Sequence, residues 1–143
     1  MKGKSACWHG VLLILLVFSL LPLTSCALTD TESSTFYDAG DSDLTETSAQ
    51  FAQYSLFRFD TTASSHTLTT PSAADMVASL SSPVVGEVIV FAVVADGSYT
   101  VTITGGTSVT VKPSASTVTA NTTLMIYCVV DSISSGDEQV TLY

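Results

Sequence analysis

The chain has 143 residues, 46% of them hydrophobic and 12% charged, with a formal net charge of −9, which allows one ordinary domain and an appendage. Its basic residues are Lys2, Lys4, Arg58 and Lys112; once the first two are set aside, as lying in a segment expected to be removed, two cations face 13 acids. A nucleic-acid partner, held by neutralising phosphates, does not fit that balance, and anionic lipid surfaces are disfavoured.

Lys2 and Lys4 precede an apolar run, Val11 to Leu21, that is shorter than the roughly 20 residues of a spanning helix, which is the pattern of a signal peptide. The run ends at Pro22 and is followed by Leu23-Thr24-Ser25-Cys26. These four residues resemble the lipobox of bacterial lipoproteins, an aliphatic residue and two small ones before a cysteine. The resemblance implies a signal peptide over residues 1–25, cleavage before Cys26, acylation of the Cys26 thiol and the new amino terminus, and anchorage of the protein by those acyl chains. The next residue is Ala27 rather than Asp, which under the enterobacterial sorting rule favours the outer membrane or cell surface. Ordinary secretory cleavage after Ala27, giving a secreted protein, is the competing reading. With Cys7 in the signal and Cys26 acylated, Cys128 stands alone in the run Leu124 to Val130, so a buried inert thiol is expected and no disulfide framework.

From Leu28 to Gln50, Asp30, Glu32, Asp38, Asp41, Asp43 and Glu46 occur among Ser, Thr, Gly and Ala with few branched aliphatic residues. Too little apolar area is available to offset chain entropy, so residues 26–50 are expected to form an acidic, disordered tether carrying a domain over residues 51–143. The spacing of Asp38, Asp41, Asp43 and Glu46 invites a calcium reading, but it lacks the order of acids and glycine found in an EF-hand loop, and no metal residue is assigned.

Within the domain, Leu56 to Asp60 is expected as a first strand in the aromatic-rich stretch from Phe51 to Phe59. Ala73, Met76, Val77 and Leu80 fall on one helical face, with Pro71 and Ser72 to start the helix and Pro83 to stop it. Beyond Pro83 the period becomes two. Glu87 to Ala95 is a nearly continuous β-branched run, the pattern of a central strand covered on both faces, and Asp96-Gly97 supplies a turn. Tyr99, Val101 and Ile103 alternate with Thr100, Thr102 and Thr104; Gly105-Gly106 turns the chain; Val109 to Val111, Thr117 to Ala120, Leu124 to Val130 and Gln139 to Tyr143 complete the series. The spacing predicts a mainly β fold, an antiparallel sandwich or barrel of jelly-roll-like type with one short helix.

From Thr67 onward the order Pro71-Ser72-Ala73-Ala74, Met76-Val77-Ala78, Val85-Gly86-Glu87, Thr100-Val101-Thr102, Val109-Thr110-Val111, Thr119-Ala120-Asn121-Thr122 and Val140-Thr141-Leu142-Tyr143 resembles a β module of structural proteins in tailed phages and large aquatic viruses. The resemblance implies a capsid-decoration, fibre or spike-like module, often trimeric. The sequence departs from the pattern at Ala95-Asp96, where an asparagine is usual, and a lipoprotein signal is foreign to most virion proteins.

His66, the sole histidine outside the signal, lies in the polar connection Thr61 to Thr70, and the chain has no Gly-x-Ser-x-Gly elbow, phosphate loop or paired Cys-x-x-Cys. No catalytic or cofactor residue is assigned. Tyr99, Tyr127 and Tyr143 fall inside strand patterns, where core or interface packing is expected. Asn121-Thr122-Thr123 is a glycosylation sequon of use in a eukaryotic secretory route. The sequence therefore predicts a non-catalytic, lipid-anchored surface module, structural or adhesive, that self-associates, with a trimer as the expected homo-oligomer. The alternatives are a secreted or virion-associated glycoprotein and, third, a small periplasmic ligand-binding lipoprotein.

Overall fold

The computed structural model describes residues 36–143; the signal peptide, Cys26 and residues 26–35 of the expected tether lie outside the described residues. The rest of that expected tether is part of the fold. Phe36–Gly40 forms strand β1, Leu44–Thr45 strand β2 and Ser48–Gln53 helix α1, so the boundary expected at Phe51 is too late. The polar composition misleads because each short element turns only one or two side chains to the core, Tyr37, Ala39 and Leu44 half-buried and Phe51 buried. The Tyr37 ring lies 5.4 Å from that of Tyr54, Leu44 packs against the core, and Phe51 meets Phe91 edge-on at 6.0 Å. Helix α1 starts with a capping box, in which the Gln50 N–H donates to Thr47 Oγ1 and the Thr47 N–H donates to Gln50 Oε1.

The remaining elements are β3 (Leu56–Asp60), β4 (His66–Thr69), α2 (Ala73–Ala78), β5 (Val88–Asp96), β6 (Val101–Thr104), β7 (Val109–Val111), a 3-10 turn (Pro113–Ala115), β8 (Thr117–Val118), β9 (Thr122–Ser132) and β10 (Gln139–Leu142). The helix expected on Ala73, Met76 and Val77 forms as α2, with all three buried and Ser72 accepting from the Asp75 N–H as its cap; α1 is a second helix that the apolar periodicity did not mark.

The expected mainly β sandwich forms from a six-stranded sheet in the order β1-β3-β5-β9-β10-β7 and a four-stranded sheet in the order β2-β4-β6-β8. The sheets are mixed rather than antiparallel. The β1/β3, β3/β5, β2/β4, β4/β6 and β7/β10 pairs are parallel, while β5/β9, β9/β10 and β6/β8 are antiparallel. The reason lies in the turns. After β1, β3 and β5 the chain crosses to the other sheet instead of folding back on itself, so β1/β2, β3/β4 and β5/β6 are three successive arches stacked in parallel. Asp96-Gly97 thus turns the chain between sheets and closes no hairpin.

Stacking aligns like with like. Leu44, Leu68 and Ile103 form one row facing inward, and Tyr37, Phe57 and Val93 form another. Between the sheets Phe57, Phe59, Phe91, Val101, Ile126, Cys128 and Leu142 are buried, and Phe57 meets Phe91 edge-on at 5.9 Å. The arches lie so close that Gly97 has no room for a side chain: a Cβ there would sit 2.5 Å from the carbonyl carbon of Thr61 and the nitrogen of Thr62, both backbone atoms of the preceding arch. Gly97→Ala is expected to destabilise the domain by about 1–3 kcal/mol, as forced overpacking does. A thermal melt reads this as a Tm lowered by several degrees, and an unchanged Tm would mean that the arches are not stacked this closely.

Candidate functional site

The two outer faces of the sandwich differ in chemistry. On the four-stranded sheet the side chains directed away from the core are Thr45, Thr67, Thr69, Thr102, Thr104 and Thr117, in stacked rows, with Thr69 and Thr104 hydroxyls 2.9 Å apart. Such a face suits water. The six-stranded sheet turns an apolar face outward. Its longest pairing, β5 with β9, sets Val88 beside Val129, Val90 beside Tyr127 and Ala92 beside Met125. Leu56 and Phe36 extend the Ala92 row across β3 and β1, and Tyr143 continues the Tyr127 row past β10 through reciprocal backbone hydrogen bonds of 3.0 and 3.1 Å. Phe36, Met125 and Tyr127 are each 49% exposed and Tyr143 48%, so four large apolar or aromatic side chains share one exposed face. The three tyrosines read as core or interface are therefore not core, since Tyr99 is also 46% exposed, at the arch corner before β6.

This face also holds both cations of the described residues. Lys112 lies at one corner, with Nζ 5.9 Å from the centre of the Tyr143 ring. Arg58 lies on β3 toward the other edge, bonded through Nε to Asp96 at 3.0 Å and through Nη1 to Asp38 at 3.3 Å, with Asp60 on the same strand. The hydroxyl and backbone N–H of Thr62 hold the Asp60 carboxyl below the usual carboxylate range, and Asp96 in turn raises the Arg58 guanidinium. Three carboxylates thus surround one guanidinium.

The residues considered for chemistry are dispersed. His66 is not in an open polar connection: it begins β4, is buried, and stacks on Phe59. Its Nε2 lies 2.9 Å from Asp41 Oδ1 and 3.0 Å from the Asp60 carbonyl; both neighbours are acceptors, so Nε2 carries the proton and the ring ties two arch corners together. The four acids of the calcium reading do not converge on one point: Asp38 serves Arg58, Asp41 and Asp43 flank the His66 ring at 2.9 Å from Nε2 and 3.8 Å from Nδ1, Asp43 also accepts from the Thr67 N–H at 2.7 Å, and Glu46 turns into the core. Among the described residues no group of three or more His, Cys, Asp or Glu is placed to hold a metal ion. Asn121 is exposed at the turn into β9, with φ of 54° and its N–H donated to the Gly97 carbonyl, so a glycan there would meet no neighbour's core. Cys26 lies outside the described residues.

Sequence reasoning placed Glu46 in a tether, whereas it is 4% exposed and neither carboxyl oxygen has a hydrogen-bond partner among the described residues. Burial pushes its pKa up to about 8. Cys128, whose thiol burial and the nearby Glu46 push up to about 12, is buried and unreactive as expected.

No protein-family model, curated protein or solved structure matches the chain. Its functional reading rests on its own residues.

Glu46 generates a pH dependence of defined sign. In the folded state the carboxyl keeps its proton up to about pH 8, whereas the unfolded chain releases it near the ordinary value of 4.5. Between these values the native state binds more protons, so stability is greatest below the unfolded pKa and falls as pH rises toward the folded one. Denaturant titrations from pH 4.5 to 8.5 are expected to show a loss of several kcal/mol, and Glu46→Gln to flatten that slope and raise stability at pH 8. An unchanged slope in the variant would place the proton uptake elsewhere.

Proposed function

We propose that this protein is a lipid-anchored, surface-displayed β module with a structural or adhesive role, working through the outer face of its six-stranded sheet rather than through catalysis. One observation carries the role: the middle of that face, Val88, Val90, Ala92, Met125, Tyr127 and Val129, is apolar and aromatic inside a charged and polar rim, while its counterpart on the other sheet is a field of threonines. Contiguous exposed apolar surface rimmed by polar groups marks docking. The anchorage is supported by Leu23-Thr24-Ser25-Cys26 after the Val11 to Leu21 run. Two or three acyl chains would hold the domain at a membrane, and one alone only weakly. A module of this kind belongs with the structural parts of particles and envelopes, in line with the resemblance of Thr67 to Tyr143 to virion modules.

Asn121 supports a second reading, a secreted or virion-associated glycoprotein, because its sequon sits on an exposed turn. Metabolic palmitate labelling separates the two. Label that disappears in Cys26→Ser, with a mature mass lacking residues 1–25 and carrying acyl groups, is the expected result. An unmodified chain beginning at Leu28, or a mass shift lost in Asn121→Gln, would favour the glycoprotein.

A further inference from the structure

The β5 run is apolar on both sides, as in strands covered on both faces, yet among the described residues only one face is covered, and Val88 and Val90 stay exposed. Val88, Val90, Ala92 and Val94 look outward, across from Val129, Tyr127, Met125 and Thr123. We propose that the missing cover is a second copy of this chain, docked face to face across a two-fold axis near Met125. The proposal deepens the docking role above by naming its partner.

Charge supports the choice. Lys112, beside Tyr143 in the Tyr127 and Val90 row at one edge, and the Asp38-Asp60-Asp96 group, in the Val94 and Asp96 rows of the first three strands, are joined by a diagonal across the sheet, and Met125, on the fourth of six strands, lies near its middle. A two-fold axis lying in the interface and perpendicular to that diagonal sets each Lys112 over the acidic corner of the other copy, twice by symmetry. The same operation brings Tyr127 over the partner's Leu56 and crosses the strands at a wide angle, near the orthogonal class of sheet packing. The remainder of the described surface carries acids without cations and would repel a like-charged copy.

Size supports it as well. Strands about 4.8 Å apart, rising about 3.4 Å per residue, give the six-stranded face a projected area of roughly 600 Å² before side-chain relief. That approaches the roughly 800 Å² per partner of a standard interface. Edge-to-edge pairing at the β1/β2 edge is opposed, because the outermost arch carries Asp38, Asp41 and Asp43. A closed trimer needs two different complementary patches, whereas one face that complements itself closes as a dimer.

The test is disulfide cross-linking of the full chain in the cells that make it. Met125→Cys, close to the axis, is expected to give a disulfide-linked dimer under mild oxidation, while Thr102→Cys, exposed on the threonine face, gives none. Buried Cys128 does not compete. Adding Lys112→Glu is expected to weaken the dimer band about tenfold, since two symmetric attractions become repulsions. Equal cross-linking at both cysteines would mean random collision and overturn the proposal. So would no dimer from Met125→Cys, whether the thiol reacts freely with a maleimide, which means an open face, or is protected from it, which means cover by lipid or another protein. The cross-link is read apart from palmitate labelling, so a failed anchor and a failed dimer are distinguishable; a dimer persisting in the Cys26→Ser chain would establish the interface without the anchor.

Discussion

The register between β5 and β9 is the constraint on which the rest depends. Eight residue pairs, from Val88 with Val129 to Ala95 with Thr122, fix which side chains enter the core. Phe91, Val93, Ile126 and Cys128 go inward, and Val90, Met125 and Tyr127 go out. A slip of one residue would exchange the two sets. Because both sets are apolar, the hydrophobic effect alone discriminates weakly between the registers. The inward set is selected by shape: Phe91 fits edge-on between Phe51 and Phe57, where Val90 would leave a void.

The three arches make that selection possible. Each contributes a strand to both sheets; within the six-stranded sheet β5 lies between β3 and β9, and β8 of the other sheet packs against it. Polar groups at the arch corners are matched in sequence. His66 bridges Asp41 and the Asp60 carbonyl, and Thr67 uses Asp43 as an acceptor. The exceptions are the buried Thr61 hydroxyl, which has no hydrogen-bond partner, and Glu46, whose carboxyl follows β2 into the core without one and is held neutral by burial. Its cost links the stability of the whole sandwich to pH, and through its proximity it also raises the Cys128 thiol.

Much of the fold is legible in the sequence where one residue type dominates a stretch. Leu56 to Asp60 is a strand over the residues expected, and the alternation from Val101 to Thr104 gives the buried and exposed sides correctly. Segments from Phe36 to Gln53 were not legible, because their elements are short and owe their order to partners far along the chain, such as Phe57 for Tyr37 and Phe91 for Phe51. Parallel pairing was hidden for a different reason. Gly97 and the residues around it announce a turn, but whether a turn returns to the same sheet depends on which faces must be covered. The exposed apolar face was half legible: the two-sided apolar run of β5 signalled cover on both sides, and the fold shows that the described residues cover one of them.

The central claim is that the outer face of the six-stranded sheet is a working surface, covered in the assembled protein. Tyr99, Tyr127 and Tyr143 provide an internal comparison, being 46%, 49% and 48% exposed in the single chain, with Tyr99 at an arch corner and the other two on the face. Hydroxyl-radical footprinting of the native protein in the cells that make it, followed by peptide mass spectrometry, reads the three side chains together. The account predicts strong modification of Tyr99 with Tyr127 and Tyr143 protected, and equal modification of all three after the protein is dispersed by denaturant. Equal modification of all three in the native assembly would show the face open to water and contradict the account.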